Sequence, residues 1–299
     1  MNNFNLSECT NNNIGFSFYH TIISGKNTKS DPPHTHRDLF EIFLLINGNV
    51  DYVVEGQRFH VNPYDIVIVN NNEIHKSIIK NDTPCEFILL SVNLDFFIKN
   101  ECDDFDEMIF KRKTGTNNTI PSQTVIKEGI WDIYTRLEKY ISEKPVCFTV
   151  AKSVIIELLY NINKQVQKSD EIIYSEKDVK NYIQFINDNI TQDLTLEMIA
   201  NHFYISKQYL CKIFKQKTGL TVKKYISYKR IVLVRELYSS GMSITEACTR
   251  AGFNGYSNFY RTFFNLMHES PRQNLSNIHF HFENTNSDNN SEFFSNQSE

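Results

Sequence analysis

The fold of the C-terminal third is decided by a pattern that occurs first in residues 194–219, LTLEMIANHFYISKQYLCKIFKQKTG. The pattern returns in residues 243–263, SITEACTRAGFNGYSNFYRTF, so that Phe263 follows Phe214 by 49 residues. Each copy predicts a short amphipathic helix, a tight turn and a second helix with apolar positions four residues apart. These features predict two helix-turn-helix units, a motif that places its second helix in the major groove of DNA.

Charge and spacing around the two copies support this interpretation. Residues 175–278 carry 14 Lys and Arg against 8 Asp and Glu, a net charge of +6, while the rest of the chain has a net charge of −10. A basic segment of this kind is typical of a surface that faces a polyanion. Between the copies, residues 222–239 are rich in Ile, Val, Leu and Tyr. They predict a long helix that holds the two units at a fixed separation.

The whole module resembles the AraC/XylS family of bacterial transcription regulators. The residues that carry the resemblance are Ala200, 206–210 (SKQYL), Phe214, Lys215, 218–219 (TG), Tyr225, Arg230, Ile244, 252–253 (GF), Phe259, Arg261, Phe263 and Pro271. The resemblance implies that both second helices enter successive major grooves on one side of promoter DNA. The DNA-binding residues it implies are Ser206, Lys207, Gln208, Cys211, Lys212 and Lys215 in the first unit, and Tyr256, Ser257, Asn258 and Arg261 in the second.

Side-chain chemistry suggests a role for some of these residues. Gln208 and Asn258 can hydrogen-bond adenine in a bidentate manner, while Lys212 and Arg261 suit the O6 and N7 atoms of guanine. Four other lysines are interpreted as phosphate contacts or solvated charges, which carry no sequence information: Lys207, Lys215, Lys223 and Lys224.

The chain departs from the family pattern at five positions, most of them in the second unit. They are Tyr204, where a glycine is usual, Ala247 and Cys248 in place of Ile and Ala, Phe264 where a lysine is usual, and His268 where a glycine ends the helix. The second unit is therefore the less typical one. We accordingly predict that Lys212→Ala weakens specific DNA binding at least as much as Arg261→Ala.

The N-terminal part reads as an all-β region. Short apolar runs separated by turn residues predict six strands, at residues 14–19, 40–46, 50–54, 66–69, 74–79 and 87–92. Strands at this spacing with no helix between them indicate a sandwich or a barrel.

A histidine motif within this region resembles the metal motif of the cupins. It consists of His34, His36, Glu41 and the later His75, and the alternation of the first two places both imidazoles on one strand face. The main interpretation is that these residues and Tyr52 line an effector pocket, flanked by Phe43 and Phe59. Hydrogen-bonded structural histidines, or a bound iron, manganese, nickel or zinc ion, are the alternatives. Residues 63–65 resemble a cupin turn in which Tyr64 replaces the usual glycine.

The region after Pro121 predicts helices, with apolar positions at helical spacing in residues 125–140 and 150–162. They could complete the core of the barrel or supply a dimer interface. Residues 165–170 are interpreted as a polar linker and residues 279–299, rich in Asn and Ser, as a disordered tail. With no long apolar run and no signal-peptide pattern, we expect a cytoplasmic protein.

Together these observations predict two domains, an N-terminal all-β cupin-like barrel with flanking helices and a C-terminal all-α double helix-turn-helix. The predicted segments are a sensor at 1–110, a helical dimerisation or linker region at 111–170, the DNA-binding domain at 171–278 and the tail at 279–299. We expect a regulator without enzymatic activity or cofactor. Its expected partners are promoter DNA, a small-molecule effector, a second copy of the chain and, for an activator, RNA polymerase. The alternatives are a cupin metalloenzyme with an appended DNA-binding tail and an effector-independent dimeric regulator.

Overall fold

The computed structural model describes residues 2–24, 29–30, 33–36, 39–80, 84–102, 105, 112–168, 177–267 and 270–271. The position of His268 and the predicted tail at 279–299 lie outside the described residues. The chain divides into two compact units, Met1–Lys180 with Gln216–Gly219, and Asn181–Lys215 with Leu220–Glu299. Each is described by itself below.

In the described residues of the first unit, ten strands form two antiparallel sheets, which confirms the predicted β-rich N-terminal fold. The strands are β1 (Asn2–Asn11), β2 (Phe16–Ser24), β3 (Lys29–Ser30), β4 (Leu39–Asn47), β5 (Asn49–Val54), β6 (Gln57–Val61), β7 (Ile66–Val69), β8 (His75–Lys80), β9 (Cys85–Asn93) and β10 (Thr119–Ile120). One sheet has the order β1-β2-β9-β4-β7-β10 and the other the order β3-β8-β5-β6. The sequence analysis did not predict β1, an edge strand whose composition is largely polar.

Strand β4 contributes side chains to two apolar clusters, one on each of its faces. Phe43 and Leu45 point into an apolar cluster between the sheets, while Ile42 and Leu44 belong to a second cluster on the other side of the six-stranded sheet. The strand is therefore buried on both faces, which is why its sequence is almost continuously apolar. Glu41 shares the inner face with Phe43, because side chains alternate along a strand.

Among the described residues, the first unit also contains four helices: α1 (Leu94–Lys99), α2 (Ser122–Lys127), α3 (Ile130–Ser142) and α4 (Phe148–Lys168). The apolar faces of α3 and α4 belong to the same core cluster as the outer face of β4, so these helices complete the core of the unit. The helical run predicted at residues 125–140 is divided into two helices, α2 and α3, because Gly129 adopts a φ of +69° between them. The linker predicted from residue 165 was placed too early, because Gln165 and Val166 are buried in the last turns of α4.

The second unit is entirely helical in its described part, as predicted. Its helices are α5 (Lys177–Asp188), α6 (Leu196–His202), α7 (Lys207–Thr218), α8 (Val222–Ser239), α9 (Ile244–Arg250) and α10 (Tyr256–Met267). Hydroxyl groups mark where four of them begin: Thr195, Ser206, Thr221 and Ser243 each accept a hydrogen bond from a backbone N–H of the first turn. Among the described helices of the whole chain, none combines the length and apolar character that a bilayer span requires.

Candidate functional site

The two sequence repeats form two helix-turn-helix units of matching backbone geometry. In the first, between α6 and α7, the N–H of Ile205 donates to the carbonyl of Ala200 at 3.0 Å. In the second, between α9 and α10, the N–H of Phe253 donates to the carbonyl of Cys248, also at 3.0 Å. The same hydrogen bond thus closes both turns, although the residues around them differ.

The turns differ at the position that requires a left-handed backbone. Gly252 adopts a φ of +86° in the second turn, and Tyr204 a φ of +56° at the matching point of the first. The Tyr204 side chain is 97% exposed, so little packing offsets the cost of this conformation. The glycine that the family pattern leads one to expect would adopt it without strain.

Helix α8 supports both units. Tyr225 packs edge-to-face on the buried Phe214 of α7, with ring centroids 5.5 Å apart. Further along α8, Ile231 and Val234 are buried in one cluster with the apolar face of α10. Arg230 donates to the carbonyls of two residues before α6, Ile190 at 2.9 Å and Gln192 at 2.6 Å. The predicted role of this helix as a connector agrees with these contacts.

The residues predicted to bind DNA in the first helix-turn-helix unit share one solvent-facing side of α7, where Gln208, Lys212 and Lys215 are exposed. Cys211 is only half-buried and lies at the edge of that side. The hydroxyl of Ser206 accepts the N–H of Tyr209 at 3.1 Å and thereby caps the helix. Lys207 is exposed and forms an ion pair with Glu197 of α6, with which a DNA phosphate would compete.

The corresponding residues of the second helix-turn-helix unit are also exposed to solvent. Tyr256, Ser257, Asn258 and Arg261 are all exposed on α10, while Phe259 is buried. Nε of Arg261 donates to the carbonyl of Ser257 at 3.4 Å. The guanidinium thus lies along its own helix and within reach of an approaching groove.

The four residues of the cupin-like motif meet in one cluster, which we call the histidine cluster: His34, His36, Glu41 and His75. The backbone N–H groups of His34 and His75 each donate to the other's carbonyl at 3.0 Å. The nearest ring nitrogens of the three histidines all lie within 4.8 Å of one another. His34 and His36 are half-buried, so the cluster meets solvent on their side, while His75 is buried.

Glu41 connects two of the histidines. Its Oε2 accepts from Nε2 of His36 at 2.5 Å and lies 3.2 Å from Nε2 of His75. Burial alone would raise the pKa of Glu41, but these contacts with His36 and His75 hold it well below its ordinary value. Tyr52 joins the cluster as predicted, its ring nearly parallel to that of His75 at a centroid distance of 6.4 Å.

Comparison with known proteins agrees with this two-part architecture. A family model described as a helix-turn-helix domain matches residues 199–276, and one described as a cupin domain matches residues 22–92. The chain thus combines a helix-turn-helix domain with a cupin domain, the two parts that the resemblance to the AraC family implied. It is a DNA-binding transcription regulator, as the repeat predicted.

The curated relatives match the chain over most of its length. The HTH-type transcriptional activator RhaS of Klebsiella pneumoniae is 23% identical over 244 residues, covering 80% of this chain and 86% of that protein. RhaS of Escherichia coli O1:K1 is 21% identical over 249 residues, covering 82% and 87%. The crystal structure of ToxT from Vibrio cholerae O395 aligns with a TM-score of 0.38 and 15% identity over 87% of this chain and 97% of that one.

Two exposed tyrosines on the recognition helices α7 and α10 were not among the residues that the sequence predicted to bind DNA. Tyr209 matches Asn258, and Tyr260 matches Cys211, when the units are aligned on the 49-residue offset between Phe214 and Phe263. Both tyrosines are exposed. The 49-residue offset could have identified them, because it aligns each tyrosine with a residue that was already predicted to bind DNA.

The histidine cluster also passes a chemical test as a metal site. Three imidazoles and one carboxylate suit a divalent transition metal. Nδ1 of His75 lies 3.0 Å from the carbonyl of Glu73 and donates to it, which leaves Nε2 to face the cluster. None of the described residues forms a well-directed hydrogen bond with that buried Nε2, although Glu41 is near. The residues present therefore fit a metal ion held by His34, His36, His75 and Glu41.

Proposed function

We propose that this AraC-family regulator reads promoter DNA with α7 and α10 and activates transcription in response to a small molecule held at the histidine cluster. The observation that carries the proposal is the pair of matching recognition helices, each with its apolar side buried and its polar side exposed. We further propose a cytoplasmic homodimer without catalytic activity, which contacts RNA polymerase. In it, residues 1–110 act as the sensor, 111–170 as the dimerisation and linker helices, and 171–278 as the DNA-binding domain.

The proposed readout assigns specificity to a few side chains. Gln208 and Asn258 have the amide geometry for adenine, and Lys212 and Arg261 the donors for guanine. Lys207 and Lys215 contribute affinity through phosphates, which depends on salt rather than on sequence. Lys212 belongs to the unit that follows the family pattern more closely, so we expect Lys212→Ala to weaken specific binding at least as much as Arg261→Ala.

The experiment begins with selection of bound sequences from a random pool of DNA duplexes by the full-length protein. Fluorescence anisotropy then measures the affinity of each variant for the selected duplex over a range of salt concentrations. Lys164→Ala, which removes an exposed lysine from α4, is the matched control and should leave affinity unchanged. If no sequence is enriched over the starting pool, the proposal fails. A larger loss with Arg261→Ala than with Lys212→Ala overturns only the ranking of the two units.

The proposal of an effector site at the histidine cluster is based on the partial exposure of that cluster. Half-buried His34 and His36 offer hydrogen-bonding nitrogens, and the ring of Tyr52 lies parallel to that of His75 in the same cluster, an arrangement that suits a small polar ligand. A ligand that binds only the folded state raises the unfolding temperature. Thermal shifts across a metabolite panel, repeated with His36→Ala, test this assignment. A hit that shifts both proteins equally binds elsewhere, and a panel without hits favours the effector-independent regulator.

A second candidate function, a metal-dependent barrel, is favoured by the buried Nε2 of His75. A bound ion would satisfy this nitrogen together with the other members of the cluster. Elemental analysis of purified protein and equilibrium dialysis against zinc or manganese test it, with His75→Ala as the variant. His60→Ala removes an exposed histidine of the same unit and is the control. Metal content that is equal in the two variants excludes the cluster as the metal site.

A further inference from the structure

Three aromatic side chains form a row along α10, the second recognition helix. Tyr256, Tyr260 and Phe264 follow one another at intervals of four residues and are 38%, 39% and 48% exposed. The rings of Tyr256 and Tyr260 have centroids 6.2 Å apart. Single exposed apolar residues are ordinary, whereas a continuous row of large ones marks a surface that binds something.

The matching positions of the first unit have different chemistry. With the 49-residue offset, the aromatic row corresponds to Lys207, Cys211 and Lys215. At two of the three positions α7 therefore carries a lysine where α10 carries an aromatic ring. Phe264 in particular provides no charge for a phosphate at the place where Lys215 does.

The position of the row identifies its occupant as DNA. Side chains at i and i+4 lie on one helical face, so the aromatic row runs beside the row formed by Ser257 and Arg261. Phe259 and Phe263 are buried, and Tyr256 begins the row beside them, with the ring centroids of Tyr256 and Phe259 6.0 Å apart. The row therefore lies between the buried face of α10 and the exposed side of Ser257 and Arg261, which is the side that a helix-turn-helix presents to the major groove. The apolar group available in that groove is the C5-methyl group of thymine.

We propose that α10 recognises thymine methyl groups through Tyr260 and Phe264, with Tyr256 flanking them at the start of the helix. The inference rests on the proposed use of α10 as a DNA-reading helix. It implies that the second half-site contains thymine and that this unit contributes sequence preference with little dependence on salt. The first unit, by contrast, loses affinity as salt rises, because its contacts are charged.

The test uses the duplex selected for the full-length protein, with each thymine replaced singly by deoxyuridine, which lacks only the methyl group. At one or more positions of the second half-site, defined by loss of base preference in Arg261→Ala, wild-type affinity should fall about fourfold per methyl. Tyr260→Ala or Phe264→Ala should bind thymine and uracil equally at that position. Tyr209→Ala, an exposed aromatic residue of α7, is the matched control and should keep the full difference.

Salt dependence gives a second readout. Lys215→Ala should reduce the slope of log affinity against log salt by about 1, whereas Tyr260→Ala should leave the slope unchanged. A second half-site without thymine, or uracil substitutions that weaken wild type and both aromatic variants equally, overturns the inference while specific DNA binding stands. Failure to select any sequence refutes the proposed function instead.

Discussion

The buried ion pair between Arg112 and Glu73 permits a sharp prediction about the stability of the N-terminal unit. Nη2 of Arg112 lies 2.7 Å from Oε2 of Glu73, and both side chains are 1% exposed. The carboxylate also accepts N–H groups from Asn70 at 2.9 Å, Gly115 at 2.7 Å and Asn118 at 2.9 Å. Burial alone would raise the pKa of Glu73, but the Arg112 charge and these hydrogen bonds hold it below its ordinary value.

Arg112→Met removes the charge and keeps most of the side-chain length. It leaves a buried carboxylate without a counter-charge, and breaking such a pair costs about 3–5 kcal/mol. Arg136→Met is the matched control, because Arg136 makes an ion pair with Glu157 at the same 2.7 Å, with both side chains roughly half exposed. A pair on the surface contributes about 0–1 kcal/mol. The two variants thus differ mainly in burial.

Urea unfolding followed by fluorescence measures both variants in the N-terminal unit, because the only tryptophan of the chain, Trp131, lies in α3. We expect Arg112→Met to lower the free energy of unfolding by several kcal/mol more than Arg136→Met. Adding Glu73→Gln to Arg112→Met should recover part of the loss, because the buried charge is then gone. A loss below about 1 kcal/mol for Arg112→Met, or strict additivity in the double variant, would refute the reasoning.

Two further predictions concern a strained turn and an ionised histidine. Tyr204→Gly should stabilise the C-terminal unit by about 0.5 kcal/mol, because relief of the left-handed strain slightly exceeds the added entropy of an unfolded glycine. Tyr64→Gly, at a φ of +67°, should instead destabilise the protein, because Tyr64 packs on Trp131 with ring centroids 5.1 Å apart; calorimetry compares the two. His20 places one ring nitrogen 2.6 Å from Glu138 and the other 2.9 Å from Glu86, and since carboxylates only accept, its imidazole must carry two protons. The hydrogen bond to Glu138 raises the pKa of His20, so the stability it contributes is full below its ordinary pKa of 6.5 and is lost as pH rises through the folded-state value.

The outcomes that contradict these two predictions are distinct. A Tyr204→Gly protein that unfolds more easily than wild type would show that the turn is not strained. For His20, urea unfolding is measured by Trp131 fluorescence from below pH 6.5 upward, in wild type and in His20→Asn. Equal losses of stability in both proteins over that range would show that His20 is not the group that titrates.

The sequence determined the helical half of this protein almost completely. The repeat predicted both helix-turn-helix units, and the bounds of α8 coincide with the predicted residues 222–239. These features are local, because helix periodicity, capping hydroxyls and turn residues act within a few positions along the chain. The motif of His34, His36, Glu41 and His75 was also visible, because it resembles the metal motif of the cupins. What its residues bind remains a proposal.

Only the tertiary structure decided the contacts that join distant parts of the chain. Nothing in the polar stretch around residues 112–118 indicated that Arg112, Gly115 and Asn118 would enclose Glu73, some forty residues earlier. Through the carbonyl of Glu73 that network also orients His75. Such contacts bring together side chains of no common period, so their energy depends on burial and proximity after folding, and no local pattern records them.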